Sequence, residues 1–185
     1  MKLFVIGATG RTGSEIVGQA LSRGHQVTAF ARSREKITLR HERLSVVEGN
    51  IMDENRLLDS LPGHDAVLST LGATSPIKPT TLLHDSALVT THAMKRSGVK
   101  RLLILSSAAH FPGLPGILRI ISFILRNPLR DSLSMEEVVR ASDLDWTIVR
   151  PPFLTKELLY LSQSRKCSAK FWILLVPQSS CSIHA

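Results

Sequence analysis

VIGATGRTG, from Val5 to Gly13, decides how the rest of the chain is read. It grows out of an apolar run, Leu3 to Ile6, and spaces three glycines three apart: Gly7, Gly10 and Gly13. A continuous apolar run suits a strand buried on both faces. The segment after it, RTGSEIVGQALSRG, sets Ile16, Val17, Ala20 and Leu21 on one helical face, with Gly24 as the stop. The glycines therefore fall in a strand-to-helix turn.

The same alternation continues outward. HQVTAFAR (His25 to Arg32), RLSVVEGN (Arg43 to Asn50), HDAVLSTLG (His64 to Gly72), VKRLLILSS (Val99 to Ser107) and LDWTIVRP (Leu144 to Pro151) read as five further strands. Pro151 and Pro152 stop the last one. DENRLLDSL (Asp53 to Leu61), with Asp53 as its N-cap, TTLLHDSALVTTHAMKRSG (Thr80 to Gly98) and SMEEVVRASD (Ser134 to Asp143) read as helices. Strands separated by helices imply βαβ units, and right-handed crossovers then give an α/β, doubly wound parallel sheet of Rossmann-like type. Residues 108–133 read as a long insertion after the fifth strand, the kind that builds a lid or pocket wall.

In a doubly wound sheet, ligands bind beyond the carboxyl ends of the strands. The turn after the first strand aims its N–H groups, and the positive end of the first helix, at any anion there. Gly7 permits the tight turn, Gly10 lets a diphosphate approach the backbone, and Gly13 lets the helix pack close. The expected ligand is a dinucleotide; the plain alternative is a tight turn with no ligand. Where the second strand ends, an Asp or Glu would favour NAD through the ribose hydroxyls. This chain has ARSREK, with Arg32, Ser33, Arg34 and Lys36. Arg32 can pair with a 2′-phosphate through its forked donors, Ser33 can add a hydroxyl, and Arg11 can reach the same phosphate. The expected cofactor is NADP(H), against the alternative of a solvated basic loop.

Composition agrees with one globular domain: 185 residues, 43% hydrophobic and 21% charged. The apolar run LPGILRIISFIL is interrupted by Arg119 and flanked by Pro115 and Pro128, so no membrane span is expected. The few apolar residues after Met1 and Lys2 run straight into glycines, so no signal peptide is expected and a cytoplasmic location follows. Cys167 and Cys181 have no metal-ligand spacing and read as free thiols. The net charge of +8 raises the question of nucleic acid. The basic residues are dispersed and do not alternate with aromatics, so a small polyanion accounts for the charge without nucleic acid.

VIGATGRTG, VEGNIMD, STLGA, LILSSA and SDLDWTIVRPP, in this order, resemble the atypical short-chain dehydrogenase/reductases. The nearest branch resembles the NAD(P)H-binding, NmrA-like proteins that include biliverdin reductase B (flavin reductase). The resemblance covers about residues 1–155, which it makes an NAD(P)-binding domain, and leaves 156–185 as a divergent tail. It implies cofactor contacts at Gly7, Thr9, Gly10, Arg11, Thr12 and Gly13, and the 2′-phosphate at Arg32 and Ser33. Asn50, where relatives more often carry Asp, and Ile51 would flank the adenine. Leu71 and Gly72 would line the cofactor, Ser106, Ser107 and Ala108 would lie beside the nicotinamide, and Pro151 and Pro152 would close over it.

The main branch of that superfamily uses a Tyr-x-x-x-Lys dyad. Here the single tyrosine, Tyr160, has Ser164 four positions on, and Ser132 stands where relatives often have Lys or His. Alcohol–ketone chemistry through a tyrosine acid is therefore disfavoured. A flavin or tetrapyrrole stacked on a nicotinamide can take hydride directly, with the protein supplying orientation and shielding. Ser107 is the candidate for orienting substrate or nicotinamide, or it simply ends a strand. His110 can donate a proton, or is a loop histidine. Phe111 and Phe153 stack on a planar substrate or pack the core. Glu136 ties its helix to a nearby loop, and Arg150 anchors the strand end or pairs with a carboxylate.

After Thr155 the tail, KELLYLSQSRKCSAKFWILLVPQSSCSIHA, loses periodicity and reads as a truncated or out-of-frame terminus. FWILLVP within it reads as an added strand or an exposed sticky segment. Two functions fit. One is an NADPH-dependent oxidoreductase that passes hydride to a small planar acceptor such as a flavin. The other is a catalytically silent NADP-binding redox sensor whose partner is a protein. Sugar-nucleotide epimerase chemistry, a third, suffers from the missing tyrosine. No metal site is expected.

Overall fold

The computed structural model describes residues 1–72, 79–106 and 126–150. The described strands are β1 (Lys2–Ile6), β2 (Gln26–Ala31), β3 (Leu44–Glu48), β4 (Ala66–Ser69), β5 (Arg101–Leu105) and β6 (Asp145–Val149). The helices are α1 (Arg11–Ser22), α2 (Glu54–Ser60), α3 (Leu82–Ser97) and α4 (Arg126–Ala141), with a 3-10 turn at Arg34–Lys36. The sheet runs β3-β2-β1-β4-β5-β6, and every pairing is parallel. This is the doubly wound, Rossmann-like sheet expected from the sequence. Strand order reverses between β1 and β4, so the ligand crevice opens there.

β1 is central and buried on both faces: Leu3, Phe4 and Val5 are fully inaccessible. Each such side chain contributes about 2 kcal/mol of hydrophobic stabilisation. Phe4 and Ile6 join Phe30, Leu57, Val67, Leu102, Met135 and Val139 in one core cluster. The helical face read from the sequence is the buried one in α1: Ile16, Val17, Ala20 and Leu21. Asp53 caps α2, its Oδ1 accepting the Arg56 N–H at 3.0 Å.

α4 departs from expectation. It begins at Arg126, eight residues before the start read from the sequence, inside the segment taken for an insertion. Pro128 reads as a breaker, yet it sits in the first turn, where a proline forfeits no intrahelical bond. Asp131, Ser132, Met135, Glu136 and Val139 then form one buried face.

Among the described residues no helix is long and apolar enough to cross a membrane.

Candidate functional site

Gly7 ends β1 with φ +79°, a left-handed backbone that favours glycine. Its carbonyl accepts the Gly10 N–H at 2.9 Å. Gly10 precedes α1 in extended conformation and supplies no side-chain cap. The first intrahelical bond runs from the Ser14 N–H to the Gly10 carbonyl, 2.9 Å. The N–H groups of Arg11, Thr12 and Gly13 lie ahead of it and have no acceptor within the helix. The first turn carries no acidic residue to occupy them.

Close packing holds this turn. A Cβ on Gly13 would stand 2.2 Å from the Gly7 oxygen and 2.8 Å from Thr70 Oγ1. Thr70 follows β4, and its hydroxyl lies 3.0 and 3.2 Å from the carbonyl oxygens of Ile6 and Gly7. Thr9, Gly10 and Arg11 are exposed on the outer side, and Thr12 is half-buried. A cradle of bare backbone with a positive helix end is what a diphosphate requires.

The ends of β2 and β3 form a second region. Arg32 is exposed and Ser33 half-buried, just before the 3-10 turn. The Arg34 N–H donates to Glu48 Oε2 at 3.2 Å. Glu48 pairs in register with Ala31, so β3 supplies a carboxylate that the β2 sequence lacks. Arg56 Nε donates to the Glu48 carbonyl at 3.0 Å. Asn50 is exposed, and its Oδ1 accepts the Met52 N–H at 3.2 Å, while Ile51 is buried in the core cluster. Leu71 packs against that cluster, and Gly72 is exposed with open space where a Cβ would be.

The ends of β5 and β6 form the third. Ser106 donates its N–H to the Val149 carbonyl at 2.8 Å and its hydroxyl to Glu136 Oε1 at 2.6 Å. Ser132 Oγ lies 2.9 Å from Ser106 Oγ. Glu136 is 2% exposed, and also accepts from Arg150 Nε at 2.8 Å, from Arg150 Nη2, and from Arg140 Nη2 at 3.3 Å. Burial alone would push the Glu136 pKa up. The hydrogen bonds from Arg150 and Ser106 and the charges of Arg150 and Arg140 outweigh it and hold the pKa below the usual carboxylate value. The Glu136 hydrogen bond raises the Arg150 pKa against the opposing effect of burial.

A sequence model of the NAD(P)H-binding family matches residues 7–162. The chain belongs to that family. Its six-stranded parallel sheet is the Rossmann-like fold. The chain is 32% identical over 120 residues to the photosystem II assembly factor Ycf39 of Synechocystis sp., covering 62% of this chain and 37% of that protein. It is 33% identical over 150 residues to the (4-alkanoyl-5-oxo-2,5-dihydrofuran-3-yl)methyl phosphate reductase of Streptomyces griseus, covering 80% of this chain and 46% of that protein. The chain thus spans less than half the length of either relative. A Rossmann-fold NAD(P)-binding family protein from Shigella flexneri superposes with a TM-score of 0.65 at 24% identity, covering 83% of this chain and 68% of that one. That likeness is one of fold.

A nicotinamide dinucleotide is the family's cofactor, and the turn at Gly7–Gly13 fits its diphosphate. The NAD(P)H-binding chain brings the cradle, Arg32, Ser33, Asn50 and Ser106 to one edge of the sheet, because all of them follow the ends of parallel strands. Ser107, Ala108, His110, Phe111, Pro151, Pro152, Phe153, Tyr160 and Ser164 lie outside the described residues. Sequence reading missed Thr70, Glu48 and Asp131. The first two become visible once β4 is placed beside β1 and β3 beside β2. Among the described residues there is no group of three or more metal-ligating side chains.

Proposed function

We propose that the chain is the cofactor-binding part of a cytoplasmic NADPH-dependent oxidoreductase on the NmrA-like side of its family, one that passes hydride to a flavin or similar planar acceptor. The carrying observation is the cradle in which Gly13 and Gly7 pack so closely that no side chain fits, leaving three helix-terminal amides for a diphosphate. Arg32 and Ser33, with Arg34 and Lys36 beside them, supply cations and a hydroxyl for a 2′-phosphate. Arg11, at the first position of α1, adds a cation on the exposed side of the cradle.

The nicotinamide, when bound, supplies hydride. A planar acceptor is favoured because, among the described residues, the polar groups at the end of β5 and on the facing side of α4 are poor proton donors. Ser132 and Ser106 are weakly acidic hydroxyls, and Glu136 is an ionised carboxylate with four donors on it. An acceptor that needs no protein acid suits these groups among the described residues. The reductase name of the Streptomyces relative is in keeping with such chemistry.

The same observation supports a second reading, an NADP-binding sensor without turnover whose partner is a protein. The experiment measures NADPH oxidation by purified protein with FMN or biliverdin, alongside calorimetric titration with NADPH and NADH. Turnover with tight NADPH binding supports the reductase. Tight binding with no turnover on any acceptor supports the sensor, and no heat from either nucleotide overturns both.

A further inference from the structure

We propose that Glu136 is a positioning residue that fixes the Ser106 hydroxyl as a hydrogen-bond acceptor toward the nicotinamide half of the dinucleotide. This rests on the dinucleotide-binding reading above and adds a sign to one contact.

A serine hydroxyl has one proton and two lone pairs. Ser106 Oγ lies 2.6 Å from Glu136 Oε1 and 2.9 Å from Ser132 Oγ. An ionised carboxylate only accepts. The Ser106 proton therefore points at Glu136, and the contact with Ser132 must be a donation from Ser132. One lone pair of Ser106 is then used and the other remains. Ser106 is half-buried, whereas Ser132 and Glu136 are buried behind it at 4% and 2% exposure. The outermost member of this chain of hydroxyls thus presents a lone pair, with no proton to offer.

Glu136 keeps this direction because its two oxygens take four donors: Ser106 Oγ, Arg150 Nε and Nη2, and Arg140 Nη2. Tying α4 to β6 needs only the pair with Arg150. The two serines extend the order to the end of β5, on the ligand edge of the sheet. β4 lies between β1 and β5, so two inter-strand spacings put Ser106 about 10 Å from the glycine turn. That is the side away from Arg32, which follows β2, and so the nicotinamide side of the diphosphate. The donors available there are a carboxamide N–H and the ribose hydroxyls.

The test is calorimetric titration of wild type and Ser106→Ala with three ligands. NADP carries both classes of donor, 2′-phospho-ADP-ribose keeps the ribose but lacks the carboxamide, and adenosine 2′,5′-bisphosphate lacks both. Ser106→Ala should weaken NADP on the order of fivefold and leave the bisphosphate unchanged. Loss on NADP alone assigns the carboxamide, and loss on the ADP-ribose as well assigns the ribose. Glu136→Gln, which can donate an amide N–H to Ser106 and turn its proton outward, should show the same selective loss, and Ser106→Thr should restore binding. If Glu136→Gln fails to fold, Ser132→Ala replaces it: with that donor gone and Glu136 still in place, NADP affinity should stay within about twofold of wild type. Unchanged NADP affinity in Ser106→Ala, or equal loss on all three ligands, overturns the inference while leaving the cofactor reading intact. Wild type that binds none of the three overturns both.

Discussion

Asp131, on α4, accepts the backbone N–H of Leu83 at 3.1 Å, and through its other oxygen that of His84 at 3.0 Å. The residue preceding α3, Thr81, gives its hydroxyl to Asp85 instead and supplies no cap. A carboxylate 48 residues downstream therefore caps α3 and fastens it to α4. Asp131→Ala leaves two helix-terminal N–H groups in a buried setting, and should destabilise the fold by about 2 kcal/mol. Asp131→Asn, which retains one acceptor, should lose about half as much. Urea denaturation checks this, and an unchanged midpoint in Asp131→Ala would show that the cap carries no weight.

That cap illustrates what the sequence conceals. β1 and α1 are legible because their signals are local: a continuous apolar run, a glycine turn and a 3.6-residue apolar face. Asp131 cannot be read the same way, since a partner 48 residues away leaves no mark on the sequence around Leu83. The start of α4 is hidden for another reason. Pro128 has the same letter whether it breaks a helix or opens one, and only the buried face running from Asp131 to Val139 tells which. Glu48 and Thr70 become part of the site through strand order alone. Glu48 lies beside Ala31, and Thr70 lies beyond the β1–β4 register that pairs Ile6 with Ser69.

Gly13 and Gly18 lie on the same helix and should respond oppositely to alanine. At Gly13 the new Cβ would meet the Gly7 oxygen at 2.2 Å and the Gly7 carbonyl carbon at 2.8 Å, both backbone. The start of α1 must shift, so Gly13→Ala should destabilise by about 2 kcal/mol and weaken dinucleotide binding at least about tenfold. At Gly18 nothing lies within 4 Å of the new Cβ. Gly18→Ala should stabilise by about 0.5–1 kcal/mol, with binding unchanged. Thermal melting and calorimetry on the two variants decide it, and a similar response at both positions would count against the close-packed turn.

Glu136 should give the fold a pH dependence of definite sign. Burial opposes its ionisation, but Arg150, Ser106 and Arg140 overcome this, so its folded pKa lies below that of the unfolded chain. Its stabilising increment is therefore complete above the unfolded carboxylate pKa of about 4.3, and disappears as pH falls through the depressed folded value. Glu136→Gln should be less stable than wild type by about 3 kcal/mol at neutral pH. The gap should narrow on acidification below about pH 4. Urea titrations of both proteins across that range measure it, and a gap independent of pH would mean that the carboxylate's charge is not what holds Arg150.

Arg32 and Glu48 should shift cofactor preference in opposite directions. If a 2′-phosphate sits beyond the end of β2, Arg32→Ala removes a forked, charge-assisted donor pair. NADP should then weaken at least about tenfold, with NAD nearly unaffected. Glu48 brings a negative charge to the same turn, where its Oε2 accepts the Arg34 N–H at 3.2 Å. Glu48→Gln keeps an acceptor for that N–H and removes the charge, so NADP should tighten by about twofold to fivefold, again with NAD little changed. Both effects act through solvent-exposed groups and should shrink as salt is raised. Titrating each variant with NADP and NAD at low and high ionic strength provides the measurement. Equal changes for the two nucleotides would move the phosphate site away from this turn.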